Sequence, residues 1–286
     1  MKKKLLISFS GGRTSGFMLW WLFNKWEDRD NWEKIVVFAN TGKEAEGTLA
    51  FVQEVSERWG IPIIWVESRH VNDEGNTYSP KGRKVGFRVV DYTTASRNGE
   101  PFEEMIKTLG IPSTNAPYCS EQLKKKAIIA YLKSIGWREY HTAIGIRYDE
   151  PDRISESAEK NRIMYPLYEH TVMSKWDILA WWAEQPFDLK INDGDGNCDN
   201  CWKKNLKLLV RNARNRPSSF DWWQEMTNKY GHLNPRQTKL KPPFNFYRGN
   251  LSPSDILALR SAPDERINRI ATNQKKYSCS ESCELF

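Results

Sequence analysis

No apolar run in this 286-residue sequence approaches the roughly 20 residues that span a bilayer. Lys2-Lys3-Lys4 leads only into Leu5-Leu6-Ile7-Ser8-Phe9, too short for the core of a secretory signal. A cytoplasmic protein with no membrane partner is expected. Cysteine is scarce, five in all, which in that compartment argues against a disulfide framework and for metal or redox use of some thiols. Neither sign of charge dominates: 43 Lys and Arg against 36 Asp and Glu leave +7, which suits an anionic partner, nucleotide or nucleic acid. Tryptophan, by contrast, is plentiful. Pairs such as Trp20-Trp21, Trp181-Trp182 and Trp222-Trp223 fall on predicted helices, where packing is their expected use.

Two phosphate signatures are also missing: the Gly-Lys-Ser/Thr of a Walker loop and the G-x-G-x-x-G of a dinucleotide fold. In their place a first apolar strand ending near Ser8 opens into Ser10-Gly11-Gly12-Arg13-Thr14-Ser15, followed by the apolar start of a helix, Phe17 to Phe23. Paired glycines let the backbone turn its N–H groups toward an anion, the hydroxyls add donors, and the helix N-terminus adds a positive end. A second strand, Lys34 to Ala39, leads to Asn40-Thr41-Gly42 and a helix. A third covers Ile61 to Val66. This order predicts an α/β fold: a Rossmann-like parallel sheet with helices on both faces and ligands at the strand C-termini.

Between Ser68 and Pro101 periodicity fades, and a polar, basic, mobile insertion is expected. Tyr118-Cys119-Ser120-Glu121-Gln122-Leu123-Lys124 precedes an amphipathic helix. After a short strand at His141 to Ile144, Gly145-Ile146-Arg147 to Arg153 reads as a second anion-binding loop, since guanidinium groups grip phosphate or sulfate bidentately. Ser174 is the expected N-cap of a helix reaching Glu184. Asp193 to Asn197 begins like a calcium loop, but Cys198 and Lys204 stand where glycine and the closing glutamate belong. Cys198-Asp199-Asn200-Cys201 is expected to open a basic helix over 203–216, bearing Lys203, Lys204, Lys207, Arg211, Arg214 and Arg216. That face is either solvated or a surface for RNA or DNA. Two regions result: 1–190, a nucleotide-binding α/β domain, and 191–286, a mostly helical, basic, cysteine-containing region and tail.

Taken in order, these motifs, with Tyr165-Pro166-Leu167, resemble those of the phosphoadenylyl sulfate (PAPS) reductase family. The likeness is strongest to its bacteriophage-encoded branch, within the PP-loop adenine nucleotide α-hydrolase superfamily. The resemblance implies an adenine nucleotide, ATP or PAPS with an accompanying magnesium ion, held by Ser8, Ser10, Gly11, Gly12, Arg13, Thr14, Ser15, Asn40, Thr41, Gly42, Lys124, Gly145, Arg147 and Arg153. It also implies an iron–sulfur cluster, or alternatively zinc, on Cys119, Cys198 and Cys201. Ser120 occupies the place of a second tandem cysteine, so the remaining ligand is Cys283 or Cys279, or an open iron that binds sulfide. The tail Glu281-Ser282-Cys283-Glu284-Leu285-Phe286 departs from the reductases' Glu-Cys-Gly-Leu-His, leaving Cys283 as either nucleophile or ligand. Cys283, Arg13 and Arg147 are the implied catalytic residues. The implied activity is nucleotide-coupled sulfur chemistry with a thiol reductant, in a bacterial host cell if phage-encoded. The alternatives are ATP-dependent thiolation of tRNA or DNA, with the 203–216 helix binding the polynucleotide, and a non-catalytic nucleic-acid-binding regulator.

Overall fold

In β1 (Lys3–Ser8) successive side chains leave opposite faces, and both faces are apolar, so this strand belongs at the centre of a covered sheet. The computed structural model, which describes residues 2–72, 74, 84–192, 194–196, 198–235 and 241–273, places it there. The chain continues through α1 (Arg13–Asn24), β2 (Trp32–Asn40), α2 (Glu46–Trp59), β3 (Ile63–Arg69), β4 (Gly86–Val90) and α3 (Glu100–Leu109). Next come α4 (Lys126–Ser134), β5 (His141–Ala143), β6 (Ile163–Met164), α5 (Pro166–Glu169) and α6 (Lys175–Ala183). Four helices complete the described chain: α7 (Leu206–Asn215), α8 (Asp221–Tyr230), α9 (Pro253–Ala258) and α10 (Asp264–Asn273).

The sheet runs β4-β3-β2-β1-β5-β6, parallel except for the edge strand β4. Leu5, Ile7, Val36 and Phe38 pack with α1, α2 and α6 on one face; Leu6, Val37 and Ala39 pack with α4 on the other. The expected Rossmann-like arrangement is therefore present. Because β1 continues outward to β2 and the chain returns to β5 on its other side, the C-terminal ends of β1 and β5 border the switch point where such sheets bind ligands. A second apolar core joins α3 and residues 119–123 to Cys198, Cys201, Trp202 and α7 to α10. The C-terminal region thus shares its core with the middle of the chain. No helix among the described residues is long and apolar enough to cross a membrane.

Two expectations are corrected. The stretch taken as an insertion contains β4, whose antiparallel pairing with β3 is reinforced by Arg88 on the fully buried Glu67 (Nε–Oε2 2.7 Å). Its charged, half-exposed pattern hid it from periodicity; residues 73 and 75–83 lie outside the described residues. Nor do Cys198 to Cys201 open a helix. They form a turn, with Cys201 N bonded to Cys198 O at 3.3 Å, and α7 begins at Leu206 because the Asn205 side chain caps Leu208 N at 2.9 Å.

Candidate active site

The loop after β1 is tied into a ring by one hydroxyl. Ser15 Oγ accepts from Ser10 N (3.2 Å) and Gly12 N (3.3 Å), donates to Gly12 O (3.0 Å) and lies 2.9 Å from Ser10 Oγ. Gly11, at φ +75°, is required on two counts: its backbone is left-handed, and a Cβ would fall 2.7 Å from Thr48 Cγ2. Gly145, at the end of β5, lies so near that its Cβ would be 3.3 Å from Ser15 Cα. The two expected anion loops are thus adjacent.

Above the first loop lies a cleft whose empty space, counted out to bulk solvent, is about 680 Å³. Ser10 to Ser15 and Arg147 form one wall; Lys175, Ile178 and Leu179 of α6, with Leu189, Ile191, Asn192, Gly194 and Gly196, form the other. Two of the three expected arginines stand at this cleft, and both are already engaged. Arg13 is gripped by Asp188 (Nε–Oδ1 2.7 Å, Nη2–Oδ2 2.9 Å) and by Leu189 O (2.7 Å), which fastens the opposite wall over the loop. Arg147, buried, bonds Thr14 Oγ1 (3.2 Å) and Asp149 (2.9 Å) and pairs with Glu150 (3.4 Å). Burial alone would raise the Asp149 carboxyl. Hydrogen bonds from Arg147 and the Lys175 amide, with the arginine's charge, outweigh it and hold the group below its ordinary value.

Other expected nucleotide residues lie elsewhere. Ser8 closes β1 and is buried. Asn40 is completely buried, its amide donating to Glu67 Oε1 (2.6 Å) and Ser96 O (2.9 Å), while its own oxygen accepts from Gly42 N (3.1 Å). It shapes the loop after β2 from below. Thr41 Oγ1 donates to Glu44 and lies 3.4 Å from Cys198 Sγ. Lys124, also buried, faces Glu44 at 3.8 Å, and Arg153 bonds Glu150 at 2.6 Å. Sequence reasoning missed Glu44, Thr48, Lys175 and Asp188. Lys175 follows a recognisable N-cap and could have been found; the partnership of Asp188 with Arg13, 175 residues away, left no local signal.

Cys119, Cys198 and Cys201 are in no disulfide, are buried, and belong to one apolar cluster. A π-helical turn, Glu121–Lys125, follows Cys119, a distortion that often marks functional sites. The Cys198–Cys201 turn is fixed from several sides: Asp199 N to Lys43 O (2.9 Å), Trp223 Nε1 to Asp199 Oδ1 (2.9 Å) and Asn212 Nδ2 to Asn200 Oδ1 (3.0 Å). Glu44 forms a β-bridge with Cys198. Lys204 is buried nearby and donates to Gly194 O and Gly196 O, both at 2.7 Å, filling with an ammonium the loop that began like a calcium site. Burial lowers its pKa; Cys201, Cys198, Asp195 and Asp199 pull the other way. Among the described residues, no three His, Cys, Asp or Glu side chains converge closely enough for a single metal ion. Cys279 and Cys283 lie outside the described residues. Of the basic residues in 203–216, Arg211 and Arg216 pair with Asp195 (2.7 and 3.1 Å), Arg214 with Asp264 (3.0 Å), and Lys203 donates to Ser120 Oγ (3.2 Å).

A strand emptying into a glycine loop and helix N-terminus, beside a second glycine loop at the switch point of a parallel sheet, defines a PP-loop nucleotide-binding fold. Residues 4–162 match the model of the phosphoadenosine phosphosulfate reductase domain, and the chain belongs to that family. It is 34% identical over 287 aligned residues to an uncharacterized nin region protein of Escherichia phage lambda, covering 98% of this chain and 94% of the phage protein. It is 24% identical over 244 residues to an uncharacterized protein of Methanocaldococcus jannaschii, covering 80% of this chain but 42% of that longer protein.

Proposed function

We propose that the protein is a PAPS reductase-like enzyme that binds ATP or an adenylyl sulfate in the cleft and couples that nucleotide to sulfur chemistry at Cys119, Cys198 and Cys201. The observation that carries this reading is the loop shared by the two places: Gly194 and Gly196 line the cleft, and Cys198 follows two residues later. The phosphates rest on Ser10 to Ser15, and Arg147 faces the charge developing at the α-phosphate or its sulfate. The apolar side chains Ile178, Leu179, Leu189 and Ile191 suit a base or ribose.

The three thiols suit an iron–sulfur cluster. They come from two separate segments into one buried apolar cluster, where buried Lys204 offsets thiolate charge. The buried Trp202 Nε1, next in sequence to Cys201, has no hydrogen-bond partner among the described residues and is a donor a cluster sulfur would satisfy. Such a group would supply electrons or hold a sulfide. The protein's own part is to exclude water from the thiols and present the nucleotide's α-phosphate near them.

The test is calorimetric titration with ATP, adenosine 5′-phosphosulfate and PAPS, followed by product analysis. Sulfite released from a sulfated nucleotide with a dithiol reductant marks reduction; pyrophosphate released from ATP marks adenylation ahead of sulfur transfer. Ser15→Ala, which opens the ring of hydrogen bonds around the loop, is expected to weaken binding about tenfold. Wild-type protein that binds none of the three nucleotides would refute the reading.

A further inference from the structure

A second helix N-terminus meets the cleft beside the phosphate loop. Thr48 is the third residue of α2, a helix of 14 residues whose N-cap, Ala45, offers no side-chain acceptor to the first turn. Thr48 is 3% exposed, lines the cleft, and its Oγ1 has no hydrogen-bond partner among the described residues. Its methyl group is seated against Gly11, the glycine that gives the phosphate loop its left-handed bend. The preceding Gly47 lies against the opposite wall: a Cβ there would fall 2.4 Å from Lys190 O and 2.9 Å from Ile191 Cγ2. The first turn of α2 is therefore held between the phosphate loop and the far wall.

A buried hydroxyl without a partner is costly, and a protein retains one where a ligand completes it. We propose that Thr48 is a ligand-contacting residue. Its hydroxyl donates to an anionic oxygen of the phosphate- or sulfate-bearing ligand, so that the ligand is held between the N-termini of α1 and α2. This rests on the nucleotide reading of the cleft and adds to it a second anchoring point for an anionic oxygen.

Thr48→Val keeps the methyl that packs on Gly11 and replaces only the hydroxyl. Two readouts separate a ligand role from a structural one. In ligand-free protein, Thr48→Val is expected to melt about 2 °C higher than wild type, because an unpaired buried hydroxyl is removed. In titrations with inorganic pyrophosphate and with ATP, the same variant is expected to bind five- to tenfold more weakly, whereas Thr48→Ser, which retains the hydroxyl, stays within about twofold of wild type. A ligand-free Thr48→Val that melts lower would mean the hydroxyl has an internal partner and would overturn the proposal. So would unchanged affinity for both probes in Thr48→Val when wild type binds them, and in that case the nucleotide cleft survives. Wild-type protein that binds neither probe removes the nucleotide reading and this proposal together.

Discussion

Anaerobically purified protein is expected to be brown, with iron and acid-labile sulfide, and Cys198→Ala or Cys201→Ala to reduce both by at least about tenfold. The effect is large because the two cysteines lie in one turn held by Lys43, Trp223 and Asn212, so neither can be replaced by a shift of its neighbour. Cys119→Ala tests the third position in the same way. Colour loss must be separated from unfolding. Each cysteine is a small, buried, apolar side chain, so alanine at that size should cost only about 1 kcal/mol in metal-free protein. The variants should therefore still show a cooperative thermal transition. A colourless wild-type protein, or one containing stoichiometric zinc in place of iron, would refute the cluster.

Arg147→Met is expected to abolish nucleotide binding and to lower stability by about 3 kcal/mol, a drop in Tm of about 6 °C. The arginine is buried and bonds Thr14 in the phosphate loop while facing both Asp149 and Glu150. Removing it leaves Glu150 with Arg153 and leaves Asp149 with one less partner, so the positive charge that two carboxylates share beside the phosphate loop is lost. The pH dependence gives an independent check. Asp149 is depressed in the folded protein, so its contribution to stability is complete above the ordinary aspartate pKa and is lost as pH falls through the depressed value. Wild type should lose this increment below about pH 4, and Arg147→Met should show a flatter acid limb. An Arg147→Met protein that still binds pyrophosphate with wild-type affinity would move the phosphate site elsewhere.

Asp188→Asn addresses the other arginine. Releasing Arg13 from its bidentate carboxylate should free a positive charge for the ligand while loosening the wall that Leu189 belongs to. Pyrophosphate is expected to bind a fewfold more tightly, with faster amide exchange across residues 188–192, measured by titration and hydrogen exchange. Weaker binding would mean that Asp188 orients Arg13 for the ligand.

The motifs and the sheet were legible because both are local. Unbroken apolar runs in Leu5 to Ile7 and Val36 to Ala39 set the two covered faces of the sheet, and Ser10 to Ser15 declares a phosphate loop through paired glycines, of which Gly11 takes the left-handed bend. What the residues do within that frame was decided by partners distant in the chain. Asn40 followed a strand in the expected place, yet Glu67 and Ser96 claim its side chain. Arg13 stands in the phosphate loop, yet Asp188 holds it. The 203–216 segment carries the expected charge, yet Asp195, Asp264 and two glycine carbonyls take up most of it.

By itself the sequence determined the parallel sheet, the phosphate loop and the small set of cysteines, since periodicity and turn chemistry act over a few residues. Only the tertiary structure decided which polar groups are spent on the fold and which, like the Thr48 hydroxyl, remain to be satisfied. Pairing a buried charge or hydroxyl is obligatory, and the partner that meets the obligation is chosen by proximity in space and leaves no pattern along the chain.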